Sequence, residues 1–84
     1  MPEFEEVELM FKSLLSESKL VLSDLECAEI QEYIDVGEYG IALKTAVSIY
    51  VEENKVASDE VKVLVSRLAK EMLIEPDSLL SRFQ

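Results

Sequence analysis

Apolar positions recur at helical spacing along nearly the whole chain. Phe4, Val7, Met10, Phe11, Leu14 and Leu15 share one face, with Glu5, Glu8, Lys12 and Ser16 opposite. That pattern predicts an amphipathic helix over about 3–16. Ser23-Asp24-Leu25-Glu26 reads as a capping box, with Leu22 and Cys27 at the apolar positions that bracket such a start. It predicts a second helix over 24–36, ended by Gly37, which takes up the left-handed conformation that terminates helices. A third helix, 38–54, follows almost at once. Its polar stripe is Lys44, Thr45, Ser48 and Glu52, and apolar residues from Ile41 to Val51 cover the rest of its circumference. It is expected to be the central and most buried helix. Val61-Lys62-Val63-Leu64-Val65 is rich in β-branched residues and looks like a strand. The wider spacing of Val61, Leu64, Val65, Leu68 and Met72 instead predicts a helix over 59–73, with Ser58 as its N-cap. Pro76 can begin a last short helix, 76–83, with Leu79, Leu80 and Phe83 packing back. The expected fold is all-α: one domain over 1–84, a small bundle of four helices plus a short C-terminal helix.

Composition narrows the function. The chain has 84 residues, 49% of them apolar, which is enough for one core and too apolar for a disordered acidic tail. Its net charge of −10 is unevenly spread. Residues 1–53 hold thirteen acids against three lysines, and residues 54–84 hold five acids against five bases. All of the excess therefore lies in the first two-thirds. Charge of this sign disfavours direct binding to nucleic acid or to an anionic membrane, and favours a basic protein partner. No apolar run is long enough to span a bilayer. The acidic opening Met-Pro-Glu-Phe-Glu-Glu lacks the features of a secretory leader. A single cysteine fits a reducing compartment, so the expected location is the cytoplasm.

Candidate chemistry is sparse. There is no histidine, so the commonest general base and metal ligand are both missing. Cys27 falls on the apolar side of the second helix and reads as a core residue. No calcium-loop pattern occurs. The expectation is a non-enzymatic protein without metal or cofactor. Asp77-Ser78-Leu79 matches the tripeptide of acyl carrier proteins, making an acyl-carrier-like protein modified on Ser78 an alternative. Only five residues follow Leu79, however, and the acidic helix lies far upstream.

The acidic helix carries the strongest signal. Between Lys19 and Lys44 there is no base, yet Asp24, Glu26, Glu29, Glu32, Asp35 and Glu38 all fall there. On a wheel of ~100° per residue, Asp24, Asp35, Glu32 and Glu29 spread over about 140° opposite Cys27, Ile30 and Ile34. Tyr33 stands at the border and Tyr39 in the following turn. Charges that steer and rings that anchor are the usual composition of a protein-binding surface. The candidate partner-binding residues are Asp24, Glu29, Glu32, Tyr33, Asp35, Glu38 and Tyr39. Another reading of the same face is an acidic helical adaptor or nucleic-acid mimic.

The segment Ile34-Asp35-Val36-Gly37-Glu38-Tyr39-Gly40-Ile41-Ala42-Leu43 resembles the central motif of MafI-type immunity proteins, small bacterial proteins encoded beside polymorphic or contact-dependent growth inhibition toxins. The shared features are a Gly-Glu-x-Gly-x-Ala turn, an acidic helix before it and an apolar helix after it. The resemblance implies a toxin inhibitor acting in the cytoplasm, its partner a basic toxin domain such as a nuclease (RNase). It leaves open whether contacts fall on the acidic face or on the Gly37–Gly40 turn.

Overall fold

Every helix that the apolar periodicity predicts is formed, within three residues of its expected ends. The structure is a computed structural model describing residues 4–83. It contains α1 (Phe4–Ser18), α2 (Asp24–Asp35), α3 (Tyr39–Glu52), α4 (Asp59–Glu71) and a short α5 (Pro76–Leu80). The expected start of α1 at residue 3 lies outside the described residues.

Local chemistry sets the starts. Ser23 Oγ accepts from the Glu26 backbone N–H at 3.1 Å, and Glu26 Oε1 accepts from the Ser23 N–H at 2.8 Å. The expected capping box is therefore complete, satisfying two backbone donors that would otherwise lack partners. Ser58 Oγ likewise accepts from the Val61 N–H at the head of α4. Glu38, expected inside α3, is instead its N-cap, and its side chain makes no capping bond.

One device closes three of the helices. At the ends of α2, α3 and α4, Glu38, Lys55 and Ile74 donate backbone N–H bonds of 2.8 Å to Tyr33, Tyr50 and Ala69 carbonyls. The residues just before these donors, Gly37, Asn54 and Leu73, have φ of +78°, +54° and +57°. This is the Schellman arrangement, in which a left-handed residue turns the chain back on its own carbonyls. Gly37 and Asn54 suit that conformation. Leu73 does not: a β-carbon there costs roughly 1–2 kcal/mol, and its side chain is 95% exposed. Gly40 presents the converse. A β-carbon at Gly40 would meet nothing within 4 Å, so no close helix approach requires glycine there.

The helices form two antiparallel pairs, α1 with α4 and α2 with α3, and α5 folds back onto α4. Glu8 and Asp35 share one groove while Lys19 and Asp24 share another, so α1 and α2 also run antiparallel. Helices α1 and α3 each contact both α2 and α4, which lie at opposite corners. Phe11, Leu14, Ile30, Leu43 and Leu68 are fully enclosed between the pairs. Of its residues, α3 exposes only Ile41, Lys44 and Glu52, which makes it the most covered helix, as expected. Its apolar circumference is not fully used, however. Ile41 is exposed, while Ile49 and Val51 are half-buried, because no helix packs over that flank.

Tyrosines tie α3 to the diagonally placed α1 at both ends. Tyr50, 1% exposed, donates its hydroxyl to Ser18 Oγ at 2.9 Å, and Ser18 is itself fully buried. Burial pushes the Tyr50 phenol above its usual pKa. Phe83 and Tyr50 form a T-shaped ring pair with centroids 5.8 Å apart. At the other end Tyr39 stacks on Phe11 at 6.1 Å and donates to Glu8 Oε2 at 2.7 Å.

Removing either partner of the buried pair leaves the other hydroxyl without its bond. Tyr50→Phe and Ser18→Ala should each destabilise by about 1–2 kcal/mol, and the double variant by less than their sum. Urea denaturation checks both, and simple additivity would show that the two hydroxyls do not act as a pair. Leu73→Gly should raise stability by about 1 kcal/mol through relief of the left-handed strain, and Gly40→Ala by about 0.5 kcal/mol. The same denaturation curves read these gains.

Candidate functional site

Helix α2 presents its charged side outward because Cys27, Ile30 and Ile34 are drawn into the core. Asp24, Glu29, Glu32, Asp35 and Glu38 are all exposed, and Tyr33 and Tyr39 are half-buried. These seven residues do not form one uniform patch. Asp24 and Asp35 border the furrows between α1 and α2. Glu29 borders the groove between α2 and α3. Glu32 stands on the ridge between them. Glu38 follows at the turn, beside the head of α3.

The gap in bases along the chain is not a gap in space. Lys12 lines a furrow with Asp35, and both Lys12 and Lys19 line the furrow with Asp24. Across the other edge, Lys44 shares its groove with Glu26 and Glu29. The acids therefore have bases nearby on neighbouring helices, which the linear pattern conceals. Glu26 is further engaged by the capping box, and Asp35 Oδ1 accepts from Gln31 Nε2 at 2.8 Å. The least engaged carboxylates are Glu32, at the crest of the face, and Glu38 at its end.

Tyr39 is occupied within the molecule. Its ring lies against Phe11 and, at 5.9 Å, against Phe4, and its hydroxyl is bound to Glu8. That hydrogen bond, with burial and the carboxylate charge, holds the phenol above its ordinary pKa. Tyr39 thus clamps the heads of α1 and α3, and Tyr33 packs against the core.

Two residues that sequence reasoning passed over stand on the same face. Leu25 is 84% exposed and Val36 is 70% exposed. With Glu29 and Glu32 they follow i, i+4, i+7, i+11, a single ridge along the helix. The signal was present on the wheel, since ~100° per residue puts Leu25 directly opposite the core. The ridge therefore reads apolar, acidic, acidic, apolar. Burying one leucine contributes roughly 1.5–3 kcal/mol, more than an exposed ion pair of about 0–1 kcal/mol, so a partner covering this ridge would gain more from Leu25 and Val36 than from its charges.

Other candidates stand elsewhere. Ser78 is exposed in α5, where its hydroxyl donates to the Glu75 carbonyl at 2.6 Å. Among the described residues no group of three or more acids and cysteines converges as a metal site, and no helix is long and apolar enough to cross a membrane. Scanned against protein-family models, curated proteins and solved structures, the chain matches none.

Cys27 lies under this face, 9% exposed, and burial, then the charge of Asp24, raises its thiol pKa. The thiolate is the reactive form, so the native protein should be alkylated by iodoacetamide at pH 7.5 far more slowly than the urea-unfolded chain. Equal rates in the two states would show that the thiol is open to solvent.

Proposed function

We propose that this protein is an immunity protein that binds and neutralises a cognate bacterial toxin domain, a nuclease, by covering its basic active-site surface with the outer face of α2. The observation that carries the reading is the exposed ridge of Leu25, Glu29, Glu32 and Val36. Its centre is acidic and its two ends are apolar. The substrate groove of a nuclease must be basic to hold phosphates, and a carboxylate ridge meets it with complementary charge. Long-range attraction raises the encounter rate, and the apolar ends, once desolvated, slow escape. The resemblance of the Ile34–Leu43 segment to MafI-type immunity proteins supports the same reading, with the cytoplasm as its place of action.

The ridge separates the two contributions. Where a large secreted protein with a nuclease-like C-terminal domain is encoded directly upstream, that domain, purified as a catalytically dead variant, is the probe. Glu29→Lys with Glu32→Lys should slow its association with this chain by about tenfold or more at low salt, with little change in helix content. Leu25→Ala should instead speed dissociation. Association unchanged by the double reversal at low salt would exclude the α2 face as the binding surface. A neighbouring toxin domain that the wild-type chain neither binds nor inhibits would remove the immunity reading itself.

A further inference from the structure

The opposite corner of the bundle carries a second ridge of opposite charge, whose first three positions repeat the spacing of the α2 ridge. On α4, Val63 is 52% exposed, Arg67 and Lys70 are exposed at i+4 and i+7, and the strained Leu73 projects just past the helix end. On α2 the order is Leu25, Glu29, Glu32, Val36. Both ridges thus read apolar, charged, charged, apolar, acidic on one and basic on the other. On a wheel of ~100° per residue, the residues of the α2 ridge and the helical three of the α4 ridge each occupy about 60°.

The fold orients these ridges for each other. Helices α2 and α4 both run antiparallel to α1: Glu8 shares a groove with Asp35 and Lys19 one with Asp24 on one side, while Glu17 shares a groove with Val61 and Ser58 on the other. They therefore run in the same direction, at opposite corners, with outer faces turned away from each other. A neighbouring copy in the same orientation presents its α4 ridge to the α2 ridge of the first. Leu25 then faces Val63, Glu29 faces Arg67 and Glu32 faces Lys70, while Val36 and the off-helix Leu73 follow beyond the charged positions, one residue out of step.

From this we propose that the protein associates with a second copy of itself, α2 of one against α4 of the next. The contact joins two different surfaces, so each copy keeps a free ridge at either end and the association propagates as an open chain. It also gives the exposed, strained Leu73 an occupant for its side chain. Glu60 and Glu71 flank Arg67 on α4 and narrow the basic stripe, so the contact is weak and reversible. The proposal does not depend on a toxin partner, although the two contacts share the α2 ridge and compete for it.

Salt dependence provides a specific signature. Each copy carries a net charge of −10. At ~0.01 M salt the screening length is about 30 Å, comparable to the long dimension of the molecule, and whole copies repel. The molecule measures 34 × 26 × 18 Å. At ~0.1 M the length falls to about 10 Å, so only the facing ridges are felt, and at ~1 M, near 3 Å, their attraction is lost.

Sedimentation equilibrium of the isolated protein, at rising concentration in these three salts, should find a weight-average mass above 9.5 kDa that is greatest at the middle salt. Glu29→Lys with Glu32→Lys makes both ridges basic, and Arg67→Glu with Lys70→Glu makes both acidic. Each double variant alone should sediment as a monomer, and an equal mixture should associate again, because mixing restores opposite charges across the contact. A wild-type monomer in all three salts, association that persists in each variant alone, or a mixture that stays monomeric would overturn the proposal. Circular dichroism of each variant confirms that helix content is retained. No toxin is present in these measurements, so their outcome is independent of the immunity reading.

Discussion

The hydroxyl of Tyr50, donated to Ser18 in the dry centre of the bundle, is the contact around which the two helix pairs are organised. Each antiparallel pair has an extensive interface of its own, and the approaches between α1 and α2 and between α3 and α4 are smaller. Helices α1 and α3 sit diagonally and need a long side chain to meet. A tyrosine spans that distance, but its hydroxyl must then be hydrogen-bonded, since an unpaired buried polar group costs about 1–3 kcal/mol. The fully buried Ser18 supplies the partner. No buried side-chain polar atom among the described residues lacks a partner. Apolar burial alone would tolerate several registers of α3 against α1, whereas this pair tolerates one. Phe83 closes the same point from the C-terminal side. Tyr39 repeats the device at the solvent-facing end, with the exposed Glu8 in place of Ser18.

A register fixed in this way permits short links, and the links in turn fix where α2 points. Three residues separate α2 from α3, and the chain reverses there through the left-handed Gly37. With α3 held by Tyr50 and Tyr39, that turn leaves α2 only one face for the core. Its charged side is thereby held outward as a rigid surface. The same closing motif ends α4 on Leu73, a residue unsuited to it. The backbone hydrogen bonds of the motif are present at 2.8 and 3.2 Å, so the cap forms despite the strain.

The parts of this fold that were legible in the sequence are those encoded within a few residues. The Ser23–Glu26 capping box, the Ser58 cap, Gly37 and the apolar stripe of α4 all act within one or two turns, and all five helices follow from such signals. What depended on neighbours was not legible. Ile41 lies on the apolar circumference of α3, yet periodicity does not say that no helix covers that flank. Leu25 and Val36 are a different case, for the wheel alone sets them opposite the core and their exposure needs no neighbour to explain it. Leu73 gives no local sign of a left-handed conformation, because the 2.8 Å bond from Ile74 to Ala69 imposes it. The acids of α2 were legible as a face, but the lysines beside them were not, since Lys12 and Lys44 reach it from other helices and Lys19 from the turn after α1.

That last difference changes what the acidic face is. An unbroken run of carboxylates on one helix accumulates repulsion, about 0.2–0.5 kcal/mol for each like pair one turn apart. Lys12 and Lys19 on the α1 side and Lys44 on the α3 side offset part of that repulsion at the edges. Exposed pairs of opposite charge contribute about 0–1 kcal/mol, a range that spans the repulsive pairs in size. The edges are thus drawn toward neutrality, and the negative potential concentrates on the crest around Glu32 and on the turn at Glu38. A diffuse acidic surface attracts any basic protein. On the proposed reading, a narrow crest with Leu25 and Val36 at its ends would discriminate, because a partner would have to present its own positive charge between two apolar contacts at the matching spacing. Selectivity under that proposal would reside in the spacing of the ridge rather than in the total of −10.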